Sequence, residues 1–297
     1  MKYPFYQVDV FTSSPLGGNP LAVFPDAEGL DNETMQKIAR EMNLSETTFI
    51  FPHGNLPVDF SIRIFTPEKE LPFAGHPTLG TAHILREAGK VPSGNYPVKL
   101  AMEAGVITVT QGEKEKLLFM GQPLPEFQHP LDYAEEIAEL LGLPESSIDS
   151  NYYPIQIVST GLPVLFVPII SLEALGEISI DTNRVKRTLA SLGTDMIYTF
   201  TLQTIHSNAS VHSRAFAPAL GITEDPATGS AAGALGAYLC KNNLVSEQER
   251  NNIFIEQGYE MGRPASLYVA VELEGDNIKS IRVGGESVTV IKGELEI

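Results

Sequence analysis

The sequence predicts an α+β protein of two pseudo-symmetric lobes, each a curled, mostly antiparallel sheet or barrel around a central helix. Three observations predict it. Short motifs recur in the same order about 150 residues apart. Strand, turn and helix patterns follow one another in the same succession in both halves. The second half carries a helix that is apolar or small on every side, which requires burial all round, and the first half has a segment to match it.

The first half opens with strand-like alternation at Phe5, Val8, Val10 and Phe11. A Gly/Pro-rich turn (Ser13 to Pro20) leads to a short strand, Leu21 to Phe24. Asp31 or Asn32 caps a helix to about Met42, with Met35, Ile38, Ala39 and Met42 on one face. Thr47 to Phe51 and Val58 to Phe65 read as strands. The loop Thr66 to Gly75 enters a helix that opens near Pro77 and ends at Gly89. Val106 to Thr110 and Lys116 to Met120 close the half as strands.

Pro123 to Pro130, with three prolines, reads as a linker. It divides a first lobe, 1–125, from a second, 126–284; a terminal strand at about 285–297 could return to the first. After an amphipathic helix (Asp132 to Leu141), strands return at Pro154 to Ser159 and Val164 to Ile170. Helices follow at Asp181 to Leu192 and Thr228 to Cys240.

The repeat is detailed. Arg63-Ile64-Phe65-Thr66-Pro67 matches Arg214-Ala215-Phe216-Ala217-Pro218, and His76-Pro77-Thr78-Leu79-Gly80-Thr81-Ala82 matches Asp225-Pro226-Ala227-Thr228-Gly229-Ser230-Ala231. Gly18-Asn19-Pro20 matches Gly161-Leu162-Pro163, and Glu103-Ala104-Gly105 matches Glu256-Gln257-Gly258. Four matches in one order indicate duplication of a unit far longer than a solenoid repeat.

Composition limits the partners. Lys plus Arg number 20 against 37 Asp plus Glu, a formal charge of −17. Such a chain repels phosphate backbones and anionic lipid, so neither nucleic acid nor membrane is an expected partner. The single cysteine, Cys240, permits no intrachain disulfide and no multi-Cys metal site. With no signal-peptide pattern and no long apolar span, the expected location is the cytoplasm.

The matched junctions suggest chemistry. Proline suits a first helical turn, where its missing N–H has no intrahelical partner. A helix N-terminus offers unused N–H groups and partial positive charge, which suit a carboxylate or phosphate. Thr81 and Ser230 add hydroxyls. Two such ends brought together would hold a small anion from both sides, so the functional site is expected where the copies face each other. A well-capped helix is the plain alternative for one copy; a His and an Asp at matched places favour function. The candidates for proton transfer are His76, Asp225 and Glu46, the last between a helix end and an apolar strand. Arg63 and Arg214 could bind a substrate carboxylate or pair with a buried acid. The other histidines show no metal spacing.

These residues resemble a known family. Gly18-Asn19-Pro20, Ser45-Glu46-Thr47, Arg63-x-Phe65-Thr66-Pro67, Glu70 to Thr78, Glu224 to Ala231 and Gln257-Gly258 to Met261-Gly262-Arg263-Pro264 look like the PhzF-type phenazine-biosynthesis proteins. The resemblance implies the diaminopimelate-epimerase-like fold, a homodimer, no cofactor and no metal. It also implies isomerisation of a dihydro-hydroxyanthranilate-type substrate, a small ring bearing a carboxylate, by a proton shift. Carried over by motif, Glu46 moves the proton, while His76, Asp225 and Ser230 orient substrate and share protonation. Asn19, Gly75, Thr228 and Gly229 become substrate-binding positions. Racemases of this fold use a cysteine from each lobe. Ala74-Gly75-His76 and Ala227-Thr228-Gly229 contain none, which excludes that pair. The expected function is thus a cofactor-independent isomerase. The alternatives are a non-Cys racemase or epimerase of a small amino or hydroxy acid, and a non-catalytic binder of small acids.

Overall fold

Two units divide the chain: residues 1–121 with 284–297, and residues 122–283. The structure is a computed structural model that describes residues 1–52, 58–72, 75–92, 96–112 and 116–297. Phe73 and Ala74 of the Glu70–Thr78 motif, and His53, lie outside the described residues.

The first unit runs β1 (Lys2–Val10), β2 (Asn19–Phe24), α1 (Asn32–Met42), β3 (Glu46–Pro52), β4 (Phe60–Phe65), β5 (Glu70–Leu71), α2 (Gly75–Glu87), β6 (Val98–Met102), β7 (Gly105–Gln111) and β8 (Leu118–Gln122). Neighbours pair antiparallel except β2 with β3 and β4 with β6, which are parallel. A parallel pair needs a crossover long enough to return the chain, commonly a helix. α1 and α2 provide these two crossovers. Asp31 caps α1 by accepting from the Thr34 N–H, as its sequence signature predicts. Strand β6 was missed by periodicity, because Val98–Met102 is short and follows a proline-rich turn.

The second unit runs β9 (Glu126–Phe127), α3 (Ala134–Leu141), β10 (Gln156–Ser159), β11 (Pro163–Pro168), α4 (Leu172–Gly176), α5 (Thr182–Leu192), β12 (Ile197–Thr201), β13 (Val211–Ala217), β14 (Ile222–Asp225), α6 (Gly229–Lys241), β15 (Ile253–Gln257), β16 (Ala265–Glu274) and β17 (Asn277–Gly285). Again two pairs are parallel, β11 with β12 and β13 with β15, each spanning a helical crossover. The ladder order therefore repeats along with the motifs. The expected linker is partly strand: Glu126–Phe127 pairs with β10, because its prolines flank two residues that still have free N–H groups. The final strand, β18 (Ser287–Glu296), pairs antiparallel with β1 in the first unit. Among the described residues each unit's sheet remains open rather than closing into a barrel.

Each unit buries one central helix. In α6 every residue from Ala231 to Cys240 is buried; α2 is buried from Gly75 to Ala82. The glycines permit close strand approach. A Cβ on Gly80 would stand 2.7 Å from Leu21 Cδ2 and 2.8 Å from Val10 Cγ2; one on Gly236 would stand 2.5 Å from Val269 Cγ1. Under α1, Phe24 stacks on Phe49 with centroids 5.1 Å apart, and Phe65 meets Phe49 edge to face at 5.6 Å. Helices α3 and α5 cover Ile157, Leu165, Ile197 and Phe216 in the other unit.

Candidate active site

In the first unit the parallel ladder sets Leu21 beside Glu46. This brings the Asn19-Pro20 start of β2 next to the Ser45-Glu46 start of β3. Ser45 Oγ donates to Asn19 Oδ1 at 3.1 Å, and Asn19 is fully buried. His76, in the first turn of α2, directs Nε2 to Glu46 Oε2 at 3.2 Å; their side chains are only 7% and 11% exposed. Burial pushes the His76 imidazole down to about 3, and a hydrogen bond to the Pro20 carbonyl only partly opposes this. The ring is therefore neutral near pH 7. A neutral ring donates one N–H, and the Pro20 carbonyl, having no proton of its own, takes it. The lone pair of the other nitrogen then faces the carboxyl. At 3.2 Å the two atoms are close, but they are not aligned for a hydrogen bond.

In the second unit Asp225 ends β14 and is buried, at 7% exposure. Thr228 Oγ1 donates to Asp225 Oδ2 at 2.5 Å. Helix α6 begins at Gly229 with Thr228 as its cap residue, so Pro226 lies outside the helix. The expectation of a proline in the first helical turn holds at Pro77 and fails at Pro226. The reason is local: Thr228 spends its hydroxyl on Asp225, and its backbone, at φ −108° and ψ 82°, is not helical. Ser230 is half-buried in the first turn of α6, where backbone N–H groups have no intrahelical acceptor. Gly75 and Gly229 are the first residues of α2 and α6.

The two arginines are accounted for by acids. Arg63 forks onto Glu70 at 2.7 and 2.5 Å, and Arg214 onto Glu224 at 2.8 and 2.9 Å. Each guanidinium also lies over a phenylalanine, Phe65 or Phe216, at 5.2 and 5.0 Å. Arg214 further donates to the Leu175 and Ile178 carbonyls. These are structural clamps on matched strands. Cys240 is core, its thiol pushed up to about 11 by burial. Among the described residues no group of three acidic, His or Cys side chains is gathered to hold a metal.

Two buried clusters escaped the sequence reading. His212, fully buried, meets Glu256 at 2.9 Å and Glu260 at 3.0 Å. Gln257, also fully buried, bonds to Asp225 and Thr228. The motif containing Gln257 was visible, but nothing in a linear sequence pairs it with Asp225. The strand register also corrects one repeat match: Phe60 pairs with Leu100 and Val211 with Ile255. Met102 therefore corresponds to Gln257, and the Glu103-Ala104-Gly105 match is two residues out of register.

Comparison with known proteins shows the family and the fold. The model of the phenazine biosynthesis-like protein family, PhzC-PhzF, matches residues 8–293. The trans-2,3-dihydro-3-hydroxyanthranilate isomerase of Pseudomonas chlororaphis is 38% identical over 291 residues, covering 97% of each chain. A PhzF-family phenazine biosynthesis protein of Bacillus anthracis superposes with a TM-score of 0.90 at 29% identity over the whole of both chains. A probable proline racemase of Agrobacterium radiobacter, 11% identical with a TM-score of 0.62 over 99% of this chain and 92% of its own, shares the fold alone. This chain belongs to the PhzC-PhzF family of phenazine biosynthesis-like proteins.

Proposed function

We propose that this chain is an isomerase that moves a proton within a small carboxylate-bearing ring, with Glu46 as the carrier. The observation that supports this most is the burial of Glu46 and His76 side by side, 3.2 Å apart, with His76 kept neutral by burial. Glu46 as carboxylate takes a proton from one ring carbon. The electron pair left behind shifts along the conjugated bonds, and Glu46 returns the proton to another carbon. Composition is unchanged and no oxidant is needed. His76 accepts or returns the Glu46 proton through Nε2. Asp225 and Ser230 orient the substrate and share its protonation. The backbone N–H groups at Gly75, Gly229 and Ser230 favour the substrate carboxylate, and Asn19 and Thr228 line its place.

The relative from Pseudomonas chlororaphis supplies the first compound to test, trans-2,3-dihydro-3-hydroxyanthranilate. Incubated with the protein in deuterated water, it is expected to isomerise, and Glu46→Gln is expected to stop this. If wild type and Glu46→Gln turn it over equally, the proton-carrier reading is wrong. Loss of optical purity in an amino or hydroxy acid would instead mark a racemase or epimerase. We propose further that the protein works as a cytoplasmic homodimer, which light scattering tests. No helix among the described residues is long and apolar enough to cross a membrane.

A further inference from the structure

The side chain of Gln257 makes four hydrogen bonds, and their directions are fixed by groups that have no choice. The Thr228 backbone N–H can only donate, so the atom 3.1 Å from it is Gln257 Oε1. The other end of the amide is then Nε2, a donor only. It donates to the Asp225 carbonyl at 2.7 Å, which can only accept, and to Thr228 Oγ1 at 2.9 Å. Thr228 Oγ1 receives that bond and keeps one proton to give. It gives it to Asp225 Oδ2 at 2.5 Å. Tyr198 completes the set by donating to Gln257 Oε1 at 2.9 Å; burial pushes its hydroxyl well above the ordinary tyrosine value, so it stays protonated.

The backbone reinforces this arrangement. Gly258, directly after Gln257, has φ of +80°. A side chain there would run into the carbonyls of Pro226 and Arg263. The end of β15 is therefore pressed onto the Asp225-Pro226 segment, with no room for the amide to turn away.

The repeat supplies an internal control. By motif and ladder register, Thr228, Gln257 and Tyr198 correspond in the first unit to Leu79, Met102 and Thr48. Leu79 and Met102 carry no matching hydroxyl or amide, and the Thr48 hydroxyl is buried without a hydrogen-bond partner. The set occurs in the copy that carries Asp225 and not in the copy that carries His76.

We propose that Gln257 is a positioning residue for Asp225, which aims the Thr228 hydroxyl at Oδ2 and holds the carboxylate ionised and ready to accept a proton. A hydrogen bond donated to the charged form favours that form. This rests on Asp225 taking part in the reaction, as proposed above.

The test is a carboxyl NMR titration of the full chain labelled with ¹³C-aspartate, with the Asp225 signal assigned by its loss in Asp225→Asn. In Thr228→Val and in Gln257→Met the Asp225 midpoint is expected to rise by roughly one pH unit, and in Thr228→Ser to return to the wild-type position. The acid limb of kcat/KM with trans-2,3-dihydro-3-hydroxyanthranilate is expected to move the same way. An unmoved midpoint in folded Thr228→Val overturns the proposal, as does one that moves in Thr228→Val but not in Gln257→Met. If Gln257→Met does not fold, Thr228→Val against Thr228→Ser decides. Absence of wild-type turnover would count against the proposed function alone, since the titration needs no substrate.

Discussion

Met196 occupies in the second unit the ladder position that Glu46 holds in the first. Thr48 pairs with Ile64 and Tyr198 with Ala215, and Ile64 and Ala215 are matched residues of the repeat. Two residues before Thr48 lies Glu46; two before Tyr198 lies Met196. One scaffold thus presents the proposed proton carrier in one copy and a thioether, which cannot carry a proton, in the other.

The first prediction concerns that carrier. Glu46→Gln keeps shape and removes the acid, so kcat should fall by roughly 10²–10⁴-fold, the usual contribution of a general acid–base. Deuterium uptake followed by mass spectrometry measures it, with circular dichroism to show the fold intact. A loss below tenfold would remove Glu46 from the mechanism.

His76 should make stability depend on pH. Its ring titrates near 6.5 in an unfolded chain, and burial pushes it to about 3 in the fold. On acidification the unfolded chain binds the proton first. The contribution of His76 is complete above about pH 6.5 and declines toward pH 3, by about 1.4 kcal/mol per pH unit. Urea unfolding at pH 7 and pH 5 should differ by about 2 kcal/mol on this account. In His76→Gln that share of the slope should vanish; an unchanged slope would contradict the buried neutral ring.

His212 should act with the opposite sign. Burial disfavours its charge, but hydrogen bonds to Glu260 and Glu256 outweigh this and hold it above the ordinary histidine value. Its contribution is complete below the unfolded value near 6.5 and is lost as pH rises through the folded one. His212→Gln leaves Glu256 buried without its counter-charge, at a cost of about 3 kcal/mol near pH 6. The difference from wild type should narrow toward pH 9, which denaturant unfolding at the two pH values would show.

Gly80→Ala and Gly236→Ala separate helix propensity from packing. Propensity alone would stabilise each helix by up to about 1 kcal/mol. The added methyl would instead press on Leu21 and Val10, or on Val269, and overpacking costs about 1–3 kcal/mol. Both variants should lose stability; a gain in either would mean that the strands can yield at that position.

The duplicated architecture was legible because the repeat left long motifs in order, and because α6 is apolar or small on every face. Glu46 and His76 were legible as candidates, but their proximity was not: it depends on a parallel ladder between β2 and β3, and periodicity carries no strand direction. The Arg63 and Arg214 clamps were one of two open alternatives, settled only by where Glu70 and Glu224 fall after the turn. The Gln257 bonds join residues about thirty positions apart, beyond the reach of any window.

Strand β18 has a consequence for how the protein is made. β1 is synthesised well before β18, and its outer neighbour is formed by residues 287–296. At cellular rates of elongation, on the order of 10–30 s separates the end of the first unit's main stretch from that neighbour. Throughout that interval β1 presents a row of unsatisfied backbone groups to its surroundings, a template for wrong partners. The first unit is completed only after the whole of the second has been made, so loss of β18 damages a unit whose other strands were translated long before it.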